Sequence, residues 1–160
     1  VRKFLKILGT LWLLPVTILV WMFYILPLWA FKCIRFDGYA DFLIPKFVVT
    51  NKRGWYTRLW RDWAGFSCPN CIITKEDVDD NPRYQRTLKH ELQHCYQQWW
   101  FGPFHWVAYI THSVYLWLFT NKHAYLDNWF ERDARRIAGQ MVDIPRNMWR
   151  HGPDDRWPFW

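Results

Sequence analysis

The sequence predicts a mainly α, mixed α+β domain behind an N-terminal transmembrane helix. Three observations carry this. Ile7 through Phe31 is a run of 25 residues without a charged side chain. Longer segments after Pro82 place apolar residues at helical spacing, whereas Phe66 to Thr74 is a short apolar run broken by Pro69-Asn70, as in a β-hairpin.

As a helix, the charge-free run would extend about 37 Å at about 1.5 Å per residue. That exceeds the roughly 30 Å of a bilayer's hydrocarbon core. Trp12, Trp21, Tyr24 and Trp29 are spread along it, and Pro15 and Pro27 should kink or end it. Arg2, Lys3 and Lys6 would also suit a signal peptide, but the apolar region is too long and Leu28-Trp29-Ala30-Phe31 is no small-residue cleavage site. An uncleaved anchor over residues 1–35 is therefore expected, with the N-terminal charges inside the cell and the catalytic domain on the periplasmic or extracytoplasmic side of a bacterial or host inner membrane.

Residues 36–142 form the expected domain. Phe42-Leu43-Ile44 and Phe47-Val48-Val49, with Trp55, Trp60 and Trp63 beyond, suit an interfacial platform or a first strand and helix. The acidic stretch Glu76 to Asp80 should be a loop that leads into a helix from Pro82 to Trp100, stopped by Gly102-Pro103. A second helix, Phe104 to Thr120, is short and interrupted by His105, Thr111, His112 and Ser113, so a re-entrant, interfacial or core position suits it better than a second span. A third should run from Asn128 to Met141. The tail, 143–160, holds Pro145, Pro153 and Pro158 and should be irregular.

Composition narrows the class. Half of the chain is hydrophobic (51%), 21% is aromatic, and 14 of its 160 residues are tryptophan, more than a soluble core requires. Indoles favour membrane interfaces. The net charge of +7 would suit nucleic acid or anionic lipid, but the lysines and arginines flank apolar segments or, as Arg58 and Arg61, lie between tryptophans. No nucleic-acid motif accompanies them, so membrane lipid is the expected partner and nucleic acid is not. Of four cysteines only Cys68-Pro69-Asn70-Cys71 makes a close pair, which excludes a zinc ribbon and leaves a disulfide or a reduced tight turn.

The chemistry concentrates in His90-Glu91-Leu92-Gln93-His94. Residues four apart share a helix face, so both imidazoles can reach one metal ion, and Glu91, one position on, can reach a metal-bound water without occupying the metal. A catalytic zinc needs a third protein ligand. The chain has three glutamates, Glu76, Glu91 and Glu131, and Glu131 lies early in the third helix. With Asn128 it also fits a capping box, which is its structural alternative. His105 and His112, seven apart, share a face that would line a cleft, bind a second metal or simply pack.

The motif, its continuation through Gln97 or Gln98 and Gly102, the aromatic helix, and Asn128-Trp129-Phe130-Glu131-Arg132-Asp133-Ala134 together resemble the gluzincin branch of zinc metallopeptidases. The likeness extends over about Thr87 to Gly139, and the chain is similar in particular to short bacterial and phage proteins with a Glu-x-x-Ala helix. An initial Val1 would suit an alternative bacterial or phage start codon. The resemblance implies a minimal zincin-like domain, one Zn2+ held by His90, His94 and Glu131, and Glu91 as the catalytic base acting on a peptide or protein substrate. Asp133 stands where many relatives carry glutamate and is not expected to bind metal. Tyr125, His123 and Tyr96 are the expected oxyanion donors, and Cys71-Ile72-Ile73-Thr74 is the expected edge strand for substrate. The competing reading is a non-catalytic membrane protein with a structural metal site or a partner-binding aromatic surface.

Overall fold

A computed structural model describes residues 2–50, 64–75 and 82–145. Trp55, Arg58, Trp60, Arg61, Trp63, the acidic stretch Glu76 to Asp80 and most of the tail lie outside the described residues. Within them the chain is α+β: helices and a four-stranded sheet.

The N-terminal run is not one helix. It divides into α1 (Arg2–Trp12), α2 (Leu14–Val20), a π-helical turn (Trp21–Ile25) and α3 (Leu26–Ala30). Pro15 has no N–H to donate and its ring crowds the carbonyl one turn back, so the helix breaks at Leu13, and the π-turn precedes Pro27 in the same way. The two halves, Lys3–Trp12 and Leu14–Ala30, are bent by 62°; among the described residues no single helix is long and apolar enough to cross a membrane, although this pair has the length and composition.

The sheet has the order β1-β2-β4-β3, with β1 (Ile34–Asp41), β2 (Ile44–Val49), β3 (Gly65–Cys68) and β4 (Cys71–Thr74). β1 and β2 are antiparallel, as are β3 and β4, whereas β2 and β4 are parallel. The Pro69-Asn70 turn needs a left-handed residue, and Asn70 supplies it at φ 56°. β4 is therefore interior, covered on both faces: Cys71 and Ile73 join Ile25, Leu28 and Phe47 in one cluster, while Ile72 joins Ile44 and Cys95 in another. Among the described residues the edge beside the motif helix is β3, not the expected Cys71–Thr74 strand. Local pattern identifies a strand, but neighbours in the sheet are decided by a parallel pairing with residues 26 positions away.

Helix α4 (Pro82–Phe101) packs across the second face of the sheet and carries the motif; a 3-10 turn (Gly102–Phe104) leads into α5 (His105–Phe119), and α6 (Trp129–Ile137) closes back onto α4. Gly102 ends α4 at φ +58°, and its missing Cβ is where the Trp12 indole sits. Gly9 likewise faces the Trp99 side chain, with which any Cβ would collide at 2.6 Å. Two glycine notches thus seat α1 on α4. All four cysteines are buried free thiols, so the disulfide considered for Cys68 and Cys71 is not formed. They end adjacent strands across a two-residue turn, and burial pushes the Cys68 thiol well above its usual range, which keeps it protonated.

Candidate metal centre

Asn128 caps α6, its side chain accepting from the Phe130 amide at 3.0 Å. The cap is Asn128's role, but Glu131 does not complete a capping box. Its carboxylate turns into the protein, where Oε2 lies 3.2 Å from His90 Nε2 and Oε1 lies 3.2 Å from His94 Nε2. The two Nε2 atoms are 3.1 Å apart. Ala134, fully buried one turn on, lets α6 approach α4 closely enough for this.

The far side of each imidazole is fixed by an amide. Gln97 spends its Nε2 donating to Phe130 O at 3.0 Å and to Asp133 Oδ2 at 2.9 Å, so its Oε1 must be the atom facing His94 Nδ1 at 2.8 Å. His90 Nδ1 donates to Gln140 Oε1 at 3.1 Å. Both rings therefore present Nε2 inward, the arrangement in which a partner on one nitrogen orients the other for a metal. Gln93 also donates to Asp133, at 2.7 Å, so Asp133 ties two glutamines of α4 to α6.

Two inward Nε2 atoms and a carboxylate cannot sit this close without a positive centre between them. Glu131 Oε2 is buried against His90 Nε2, 3.2 Å away. Without metal, a proton on His94 fills the gap. Burial pulls the His94 pKa down, but the Glu131 charge outweighs it and the pKa rises to about 9. Burial likewise opposes ionisation of Glu131, and the charges and hydrogen bonds of His94 and His90 overcome it, holding the carboxyl well below its usual range. A tetrahedral metal with bonds of about 2.0–2.2 Å separates its ligand atoms by about 3.3–3.6 Å. The observed edges lie within a few tenths of an ångström of that, so the buried His90, His94 and Glu131 group can hold a metal ion.

Glu91 lies against β3, where Gly65 has no room for a Cβ: it would stand 2.8 Å from Glu91 Cγ. Burial raises the Glu91 pKa, the His90 and His94 charges oppose the rise, and Ser67 hydrogen-bonds the carboxylate. It is a carboxylate tuned toward accepting protons.

The expected oxyanion donors divide. Tyr96 faces the other way, its hydroxyl bound to Asp41, which also pairs with Lys6. His123 Nδ1 accepts the amides of Tyr125 and Leu126 and shapes the loop before α6. Only Tyr125 reaches the centre, hydrogen-bonded to Glu131. Sequence reasoning missed Tyr109, whose hydroxyl donates to Glu131 Oε1 at 2.9 Å. The available signal was its spacing of four from His105 on one helix face. His105 is 2% exposed, and neither ring nitrogen has a hydrogen-bond partner among the described residues. Burial, then the nearby His94 charge, lower its pKa to about 4, so the ring is neutral. His112 is spent on Asn128 and the Trp129 amide, and Asp127 on the His123 amide, so neither contributes a second metal site or an imidazole partner. No protein-family model, characterised protein or solved structure matches the chain.

Proposed function

We propose that the chain is a zinc-dependent hydrolase of peptide bonds, with one Zn2+ held by His90, His94 and Glu131. The observation that carries this is the convergence of three donor atoms at 3.1–3.2 Å with Glu91 beside them. Two imidazoles and a carboxylate are the donor set that suits zinc with a position left open for water. Zinc, when bound, supplies the Lewis acidity that lowers a water's pKa and polarises a carbonyl.

The chain's own residues do the rest. Glu91 accepts the proton of the attacking water and passes it to the leaving amine, while Ser67 steers its carboxylate. Tyr109 and Tyr125 hold Glu131. β3, the edge of the sheet among the described residues, is the strand beside Glu91 along which an extended peptide can lie. His105, neutral and without a hydrogen-bond partner among the described residues, is the donor proposed for the developing oxyanion.

The test is Glu91→Gln. Zinc content measured by elemental analysis should stay near one per chain, and cleavage of a peptide library should fall by about 10²–10⁴. Unchanged cleavage with zinc retained would sink the hydrolase reading. Stoichiometric zinc without any cleavage by the unaltered chain would leave a structural metal site, and no zinc would remove the metal altogether.

A further inference from the structure

The remaining unexplained feature is the outer surface of the helices. On α5 the buried His105, Ser113 and Leu116 and the half-buried Tyr109 form one stripe, at spacings of three and four, through which Tyr109 reaches Glu131 and Ser113 reaches Asn128. The opposite stripe is apolar and open to the outside: Phe104 is 65% exposed, Val107 61%, Leu118 56% and Phe119 74%. α1 to α3 repeat the pattern, with Phe4, Leu11, Ile18 and Phe23 outward. A monomer's largest apolar patch is ordinarily a few hundred Å2. Charge defines what covers this one. No Asp, Glu, Lys or Arg occurs from Ile7 to Phe31 or from Cys95 to Asn121; basic residues stand at both ends of the first stretch, Lys3, Lys6 and Lys32, and after the second, Lys122. Apolar faces ended by cations complement hydrocarbon bordered by anionic headgroups.

The inner faces decide the geometry. α1 is seated on α4 through Gly9 and Gly102, Thr17 Oγ1 accepts from Asn70 Nδ2 at 2.8 Å, and Ile25 and Leu28 are part of the sheet's core. The N-terminal helices therefore stay against a domain whose β1 and α4 carry Arg35, Asp37 and Lys89. A crossing would draw that polar body into hydrocarbon. A mainly apolar cleft of about 670 Å3 between α1 and α4, lined by Leu5, Leu8, Trp12, Trp99 and Trp100 with Lys6, Gln93 and Tyr96 among them, adds room for a lipid chain and a cation for its headgroup.

We infer that α1 to α3 and α5 are embedded together in one leaflet, in the plane of the membrane, without crossing it. The metal centre then lies about one helix diameter, about 10 Å, behind the lipid-facing side of α5. This rests on the surface alone and stands whether or not the centre hydrolyses peptides.

The experiment reconstitutes the full chain carrying Lys3→Cys and Lys32→Cys into sealed vesicles containing anionic lipid, adds a membrane-impermeant maleimide, and counts labels per molecule by mass. The native thiols are buried and serve as an unlabelled background. In-plane embedding gives molecules with two labels or none, because both ends lie on one side. A majority with one label would show a crossing and overturn the inference. In flotation with the same vesicles, the chain should rise with lipid, and Val107→Glu/Leu118→Glu should reduce its bound fraction at least tenfold with zinc content unchanged. A chain that stays at the bottom as a stable soluble dimer would show that a second copy, not lipid, covers the face.

Discussion

Replacing Gln97 by leucine removes three hydrogen bonds at a position only 3% exposed while nearly preserving volume. His94 loses the acceptor that fixes its ring, Phe130 O loses its side-chain donor, and Asp133 keeps Gln93 alone. Losing a metal ligand's outer partner costs about 10–100-fold in metal affinity. At about 1.4 kcal/mol per tenfold, that is about 1.4–2.8 kcal/mol. The stranded carbonyl costs the metal-free fold a further 1–3 kcal/mol or about that. Competition with a chromophoric zinc chelator reads the first effect, and urea unfolding of the metal-free chain reads the second. Gln93→Leu is the control: it touches Asp133 but no imidazole, so zinc affinity should move less than about threefold. If Gln97→Leu folds and binds zinc within twofold of the unaltered chain, the amide does not orient His94 and the tautomer assignment is wrong.

Metal binding should release a proton. His94's pKa is raised to about 9 without metal, so its contribution to metal-free stability is full below about pH 6.5 and is lost as pH rises through 9. Glu131, lowered, contributes above the ordinary carboxyl range and loses its part as pH falls through its depressed value. Zinc affinity should accordingly tighten about tenfold from pH 7 to pH 8, and calorimetry in buffers of different ionisation enthalpy should count one proton; a flat profile would contradict the proton-filled gap. Gly65→Ala should destabilise by about 1–3 kcal/mol and displace Glu91, lowering cleavage while zinc remains bound. His105→Phe keeps the ring's volume but not its donor, and kcat should fall by about 10²–10³ with KM little changed.

The motif helix and its partner glutamate were legible because a metal site on one helix face depends on local spacing, and because few carboxylates compete for the third position. Asn128 was legible as a cap for the same local reason. What escaped depended on distant contacts. Tyr109 became a Glu131 donor only once α5 folded back over α6, and β3 became the edge only once β2 paired in parallel with β4. Tyr96 and His123 satisfied the chemistry of a hydroxyl or ring donor, but Asp41 and the Tyr125 amide claimed them first. The N-terminal run was legible in length and composition but not in shape. Its charge pattern is that of a span, whereas the break at Leu13 and the two glycine notches, one of them about 90 residues downstream, decide its path.

The seating of α1 on α4 also has a consequence in time. Gly9 leaves the ribosome 90 residues before Trp99, its contact. At about 5–20 residues per second, that leaves the nascent helix without its partner for about 5–20 s. An apolar segment so long orphaned must be sheltered during synthesis. If α1 to α3 lie in a leaflet as inferred above, delivery of the growing chain to a lipid surface would provide that shelter before the metal-binding half exists.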